Sequence, residues 1–146
     1  MIKNIYKFVL FLILIPSVSL SDWIKLNYQF LGQEAYGSYY YWNKDIEYLE
    51  NDIVRFYTAT NYNQFPIADI IYSSMDKVEI DCNKGLSRKL SYINYTDYNL
   101  EGDIFSSSEE IDNWTKINFD GDGSVMSELT DILCWWDIIN PIFINP

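Results

Sequence analysis

In Asp76-Lys77-Val78-Glu79-Ile80-Asp81-Cys82 the six residues from Lys77 onward alternate between charged and apolar or thiol side chains. A period of two marks a β-strand, because successive side chains point to opposite faces of a sheet. The run therefore predicts a strand with Val78, Ile80 and Cys82 on a buried face and Lys77, Glu79 and Asp81 on a solvated one. It also aims the Cys82 sulfur at whatever covers that sheet. Asn83-Lys84-Gly85 follows as a turn, and Arg88 to Tyr98 returns as the antiparallel partner.

Other segments extend the sheet. Trp23 to Tyr28 alternates, Ser38-Tyr39-Tyr40-Tyr41-Trp42 follows Gly37, and Ile53 to Tyr62 is rich in β-branched and aromatic residues before Pro66. Trp114 to Phe119 reads as a last short strand. Asn99 to Glu110, with Gly102 and Ser106-Ser107-Ser108, reads as polar and turn-like. A helical period then appears in Val125, Leu129, Ile132, Leu133 and Trp136, with Ser124 or Asp122 as N-cap and Glu128 placed for the helix dipole. Strands followed by one helix, with no βαβ alternation, predict an α+β fold. The expectation is an antiparallel sheet of about five or six strands with a C-terminal α-helix packed on it. At 146 residues, 49% apolar and 18% aromatic, the chain has enough apolar surface for one packed domain.

The N-terminus reads as an address. Lys3 and Lys7 precede the apolar run Phe8 to Ile15, Pro16 breaks it, and Ser19 and Ser21 are small residues positioned for cleavage before Asp22. Residues 1–21 are therefore expected to be a signal peptide, the apolar run being shorter than the ~20 residues of a membrane span. Residues 22–134 would form the domain. Residues 135–146, with Trp136, Ile138, Ile139, Ile142, Phe143 and Ile144, form an apolar C-terminal extension expected to pack on the domain or on a partner.

An exported chain with two cysteines, Cys82 and Cys134, most simply carries one disulfide. Two free thiols or a metal pair are the alternatives; a metal pair would have neither His nor a CxxC spacing to support it. At 100° per residue Cys134 sits opposite Val125, so a bond there requires the helix to end or distort near Leu133.

Charge and composition exclude several functions. The formal charge is −11, and losing Lys3 and Lys7 with the leader takes it to −13. Such a chain repels phosphate backbones and anionic lipid, so neither nucleic acid nor membrane is an expected partner. Histidine is absent, which removes Ser-His-Asp and Cys-His catalysis and every His-ligated metal site.

The remaining candidates are few. Asn118, Asp120, Asp122 and Ser124, with Gly123 and Val125, imitate the opening of an EF-hand-type calcium loop. Position 12 of such a loop, however, is Leu129 and not a bidentate carboxylate; Glu128 falls one residue early. A turn with a helix N-cap is the favoured reading, with calcium as an alternative and no cofactor expected. Glu109, Glu110 and Asp112 cluster before Trp114, but an acidic chain places such groups on any solvated face, and no catalytic residue is assigned. Asn94-Tyr95-Thr96 and Asn113-Trp114-Thr115 match the glycosylation sequon. Tyr39, Tyr40, Tyr41 and Trp42 are consecutive, so alternate members of a strand must face outward, as anchors for a partner or as the seam of a homodimer.

Taken in order, these features resemble the bacterial surface-adhesin protein E family. The resemblance rests on Asp22-Trp23 after the leader, the aromatic strand Tyr39–Trp42, and the strand end Glu79-Ile80-Asp81-Cys82. It continues through Arg88-Lys89-Leu90-Ser91-Tyr92, the Ser-rich loop, Trp114-Thr115-Lys116-Ile117, and Gly123-Ser124 opening a helix that closes at Leu133-Cys134. It implies an antiparallel sheet with its C-terminal helix tied on by Cys82–Cys134, and a non-catalytic protein at the cell surface. Adhesins of this family bind host matrix and serum glycoproteins such as vitronectin, laminin and plasminogen. The chain departs from the best-known adhesin in lacking a lipid-anchor Cys and in running twelve residues past Cys134. The other readings are a periplasmic inhibitor or immunity-type protein steered by its acidity onto a basic partner, and a calcium-dependent module.

Overall fold

The structure, a computed structural model, describes residues 20–26, 37–62, 70–119 and 124–134. The body of the expected leader, the apolar extension 135–146 and the Asp120–Gly123 turn lie outside the described residues. A 3₁₀ turn at Leu20–Asp22 leads into β1 (Ile24–Lys25), β2 (Ser38–Tyr41), β3 (Glu47–Leu49), β4 (Ile53–Asn61), β5 (Ser73–Asp81) and β6 (Leu86–Tyr95). A second 3₁₀ turn, Tyr98–Leu100, precedes β7 (Ile104–Ser108), β8 (Thr115–Lys116) and the helix α1 (Val125–Cys134).

The strands form one antiparallel sheet in the order β1-β2-β4-β5-β6-β7, with β3 beside β4 and β8 beside β6. The fold is thus α+β as expected, with eight strands where five or six were predicted. The two unforeseen strands have physical reasons. β3 has only three residues, below the length at which periodicity can be read. β7 is Ile104-Phe105-Ser106-Ser107-Ser108, a segment read as a turn from its serines. Backbone pairing with β6 holds it, with Asn94 Nδ2 donating to Ser106 Oγ at 2.9 Å, so its side chains need not be apolar.

Register sorts the side chains, since directly paired residues share a face. Val54 and Phe56 of β4 oppose Ile80 and Val78 of β5, and together they meet Leu129 and Leu133 of α1. Phe56, Ile80 and Leu129 are fully buried, and each contributes about 2 kcal/mol by leaving water. Cys134, the last described residue of α1, bonds Cys82 just past β5 with their Cα atoms 5.6 Å apart.

The opposite face carries a second, smaller cluster: Trp23, Ala59 and Leu100, with Leu20 beside them and Tyr40, Trp42, Tyr57, Met75 and Tyr95 packed against it. One expectation fails here. Glu79 and Asp81, assigned to a solvated face, are 2% and 4% exposed. The β5 alternation is real, but both faces are covered. Cationic side chains enclose Glu79, and the turn after β5 encloses Asp81, whose Oδ1 accepts from the Lys84 N–H at 2.9 Å while Oδ2 pairs with Lys84 Nζ at 3.1 Å.

Candidate functional site

The face turned away from α1 is the candidate site, because the sheet arranges its charged and aromatic side chains there in rows. One row crosses four strands. Glu47 of β3 opposes Arg55 of β4, Arg55 opposes Glu79 of β5, and Glu79 opposes Arg88 of β6. Arg55 donates from Nη1 to Glu47 Oε2 at 3.2 Å, and from Nε and Nη2 to Glu79 Oε1 at 3.0 and 2.7 Å. Arg88 donates from Nε to Glu79 Oε2 at 2.7 Å. The Arg88 guanidinium in turn lies 4.4 Å from the centre of the Trp114 ring, which caps the end of the row.

Burial alone would raise the Glu79 carboxyl above its ordinary range. The hydrogen bonds and charges of Arg55 and Arg88 outweigh that effect and hold it below. Arg55 is held more firmly protonated, chiefly by its hydrogen bond to Glu79. In the next row Lys77 Nζ sits 5.1 Å from the Tyr57 ring centre and 3.8 Å from Glu47 Oε1. Beyond it, Trp42 stacks on Trp23 with ring centres 5.7 Å apart and meets Tyr57 at 6.2 Å.

A polar network closes the far end of this face. Asn61 Oδ1 accepts from the Asn99 N–H at 2.8 Å, and Asn61 Nδ2 donates to Asn99 Oδ1 at 2.9 Å. Fully buried Ser73 donates from Oγ to the Asp97 carbonyl at 2.5 Å and accepts from the Leu100 N–H at 3.0 Å. These bonds hold Asn99 and Leu100 at φ of 62° and 61°, in the left-handed region that Asn enters readily and Leu rarely.

The structure divides the four consecutive aromatics between the two faces. Tyr39 and Tyr41 pack toward the α1 core, where burial pushes both phenols up. Tyr40 and Trp42 lie on the candidate face, against the Trp23 cluster. All four are half-buried, so they do not form one exposed patch. Of the calcium-loop residues, Asn118 is exposed at the end of the described segment and Asp120 and Asp122 fall outside it. Ser124 Oγ accepts from the Ser127 N–H at 3.1 Å, an N-cap for α1. Among the described residues no three Cys, Asp or Glu side chains group as they would around a metal ion. Glu109, Glu110 and Asp112 are exposed between β7 and β8.

A cleft of about 770 Å³ opens on the other side, beside the disulfide, lined by Tyr48, Leu49, Asp52, Lys84, Phe119 and Asp131 among others. Sequence reasoning missed Arg55, Arg88, Lys77 and Tyr57 as members of one surface. The available signal was parity: Arg55 and Tyr57 occupy alternate positions of β4, out of phase with Val54 and Phe56, so they must share a face.

A family model described as Surface-adhesin protein E matches residues 23–135. No curated protein matches the chain. Among solved structures, Haemophilus influenzae protein E is similar at 12% identity, with 78% of this chain and 94% of that chain covered and a TM-score of 0.48.

Proposed function

The chain belongs to the surface-adhesin protein E family, and from that premise we propose that it is an exported, non-catalytic binding protein that recognises host matrix or serum glycoproteins such as vitronectin, laminin or plasminogen. The observation that carries this reading is the extent of the family match. Residues 23–135 take in all eight strands, the helix and both cysteines. Residues 1–21 supply the export signal, and the domain works from the periplasm outward to the cell surface.

The face of the sheet away from α1 suits this role. It presents Tyr57 and Lys77 from β4 and β5 and Trp114 from just before β8, and aromatic rings with cations over them are effective anchors for protein partners. Tyr40 and Trp42 belong to this face, Tyr39 and Tyr41 to the other.

The test is binding of the oxidised chain from Asp22 to Pro146 to immobilised vitronectin, laminin and plasminogen, at ~50 and ~300 mM salt. Saturable binding that survives high salt and falls with Tyr40→Ala or Trp114→Ala, but not with Tyr39→Ala, supports the reading. Failure to bind any of the three overturns it. The second reading, a periplasmic protein that captures a basic partner, is favoured by the −13 charge of the exported chain. It predicts association that slows steeply with salt.

A further inference from the structure

The acidic residues of the exported chain are not spread evenly around β7, and their placement identifies what that strand can accept. β7 ends the sheet: β6 lies on one side, and among the described residues no strand pairs with the other. An end strand presents alternate backbone N–H and C=O groups to solvent, a template for one more strand. Chains usually block such an edge with Lys, Pro or a covering element. The five residues Ile104-Phe105-Ser106-Ser107-Ser108 contain neither Lys nor Pro, and Ile104 and Phe105 are 61% and 49% exposed.

The flanks decide the occupant. Glu101 and Asp103 precede the strand, Glu109, Glu110 and Asp112 follow it, and all five are exposed. None pairs with a cation among the described residues. A second copy of this chain is a poor fit. Two β7 strands laid antiparallel about Ser106 would set Asp103 opposite Glu109, and like charges directly opposed are destabilising. Shifting that register by one position in either direction still opposes two acids, Glu101 to Glu110 or Asp103 to Glu110.

We propose that β7 accepts an extended, cationic segment of a partner protein as an added strand, its basic residues seated against Glu101 and Asp103 at one end and Glu109 and Glu110 at the other. The two acidic ends lie about 20 Å apart along an extended chain, so the segment carries its basic groups about six residues apart, with small or β-branched residues between them. Backbone hydrogen bonds supply the pairing, the acidic ends supply the selectivity, and Ile104 and Phe105 supply the apolar contact. The inference rests on reading the chain as a binding protein and names the chemistry of one thing it binds.

The probe is the fluorescein-labelled peptide Lys-Lys-Thr-Val-Thr-Val-Thr-Lys-Lys, titrated into the oxidised chain from Asp22 to Pro146 and followed by anisotropy and by amide hydrogen exchange. Saturable binding at ~50 mM salt that weakens about fivefold or more at ~300 mM is expected, with exchange slowed at residues 104–108. The same peptide with Glu for Lys, or with alternate backbone nitrogens methylated, should not bind. Ile104→Lys and the double variant Glu109→Lys, Glu110→Lys change only exposed side chains, and each should weaken binding about tenfold while leaving the unfolding midpoint in place. The proposal is overturned by no saturable binding, by protection confined to other strands, or by a dimer that protects 104–108 without peptide. The host glycoproteins are absent from this experiment, so its outcome is separate from theirs.

Discussion

Arg55 and Glu79 stand directly opposite each other on β4 and β5, and two nitrogens of the arginine converge on the single oxygen Oε1. The other oxygen of Glu79 turns to Arg88 on the next strand. One carboxylate thus holds two guanidiniums, and the three side chains join β4, β5 and β6 across the face away from the helix. A carboxylate so placed cannot turn toward a ligand without giving up its bonds to both guanidiniums. The row is therefore a structural clamp, and a partner would meet what lies around it: Trp114, Tyr57 and Lys77.

Replacing Glu79 by Gln keeps the shape and removes the charge. Both guanidiniums then lose their central partner, and breaking a buried ionic group from one side typically costs about 3 kcal/mol. Glu79→Gln should lower the urea midpoint at pH 7 accordingly. The pH dependence has a definite sign. The folded carboxyl is held below its unfolded value of about 4.3, so its stabilisation is fully present above that value and is lost as pH falls through the lower folded one. The wild type should therefore lose stability through this acid window faster than Glu79→Gln. Asp81, held low because its bonds to Lys84 outweigh burial, retains part of the slope in both proteins. Parallel pH profiles of the two proteins would refute the assignment.

The Cys82–Cys134 bond spans 52 positions and fastens the end of α1 to the end of β5. In the chain-entropy description, closing a loop of that length contributes about 4 kcal/mol, a large share of the about 5–15 kcal/mol of a typical domain. A Cys82→Ser, Cys134→Ser double variant should unfold at a much lower urea concentration. Exchange at Leu129 and Leu133 should rise before exchange in β4 and β5, because the helix loses its tether while the central strands keep their pairing. An unchanged midpoint would show the bond to be dispensable.

Strict alternation made β5 legible, and a long β-branched run did the same for β4. The spacing of Val125, Leu129, Ile132 and Leu133 gave the helix, and the family resemblance joined that helix to the sheet. What sequence could not supply was the pairing across strands. Arg55, Glu79 and Arg88 are 24 and 9 residues apart in the chain, and nothing local tells Glu79 that two cations will cover it. A solvated face was the natural inference for Lys77, Glu79 and Asp81, and it failed for the two acids because burial is decided by neighbours. β7 was hidden for a related reason: an end strand is specified by backbone bonds to its neighbour, and its Ser-rich composition is that of a loop. The aromatic run Tyr39–Trp42 was legible as a strand, and its division between two faces follows from the same period of two.

Gly37 precedes β2 close against the backbone of β4. A Cβ built there would land on the carbonyl oxygen of Asn61 and crowd its carbonyl carbon. Asn61 cannot yield freely, since its side chain is bonded twice to Asn99. Gly37→Ala should therefore force β2 away from β4 and lower stability by about 1–3 kcal/mol, the usual range for overpacking. Thermal unfolding measures the loss, and amide exchange in β2 locates it. Equal melting temperatures would mean that the backbone relaxes at this point.

Asp76 provides the opposite case to Glu79. Its Oδ2 meets Lys89 Nζ at 3.0 Å, while buried Oδ1 has no partner. Burial raises its carboxyl above the ordinary range; Lys89 offsets this only in part, and the charge of Asp112 adds to the rise. A raised folded value means that the native state holds the proton longer than the unfolded chain. Stability attributable to Asp76 thus falls as pH climbs from the unfolded value of about 3.9 to the higher folded one, and the deficit persists above it. Asp76→Asn removes the ionisation and should be more stable than the wild type at pH 7, with the difference shrinking as pH approaches 4. Glu79→Gln moves the other way, with a deficit at pH 7 that shrinks on acidification. Urea unfolding of the two variants should give differences from wild type of opposite sign at pH 7; that of Asp76→Asn shrinks as pH falls from 7 toward 4, while that of Glu79→Gln holds down to about pH 4.3 and shrinks only below it. An Asp76→Asn protein that is less stable than wild type at every pH would assign the ion pair with Lys89 more weight than the buried, unpaired oxygen.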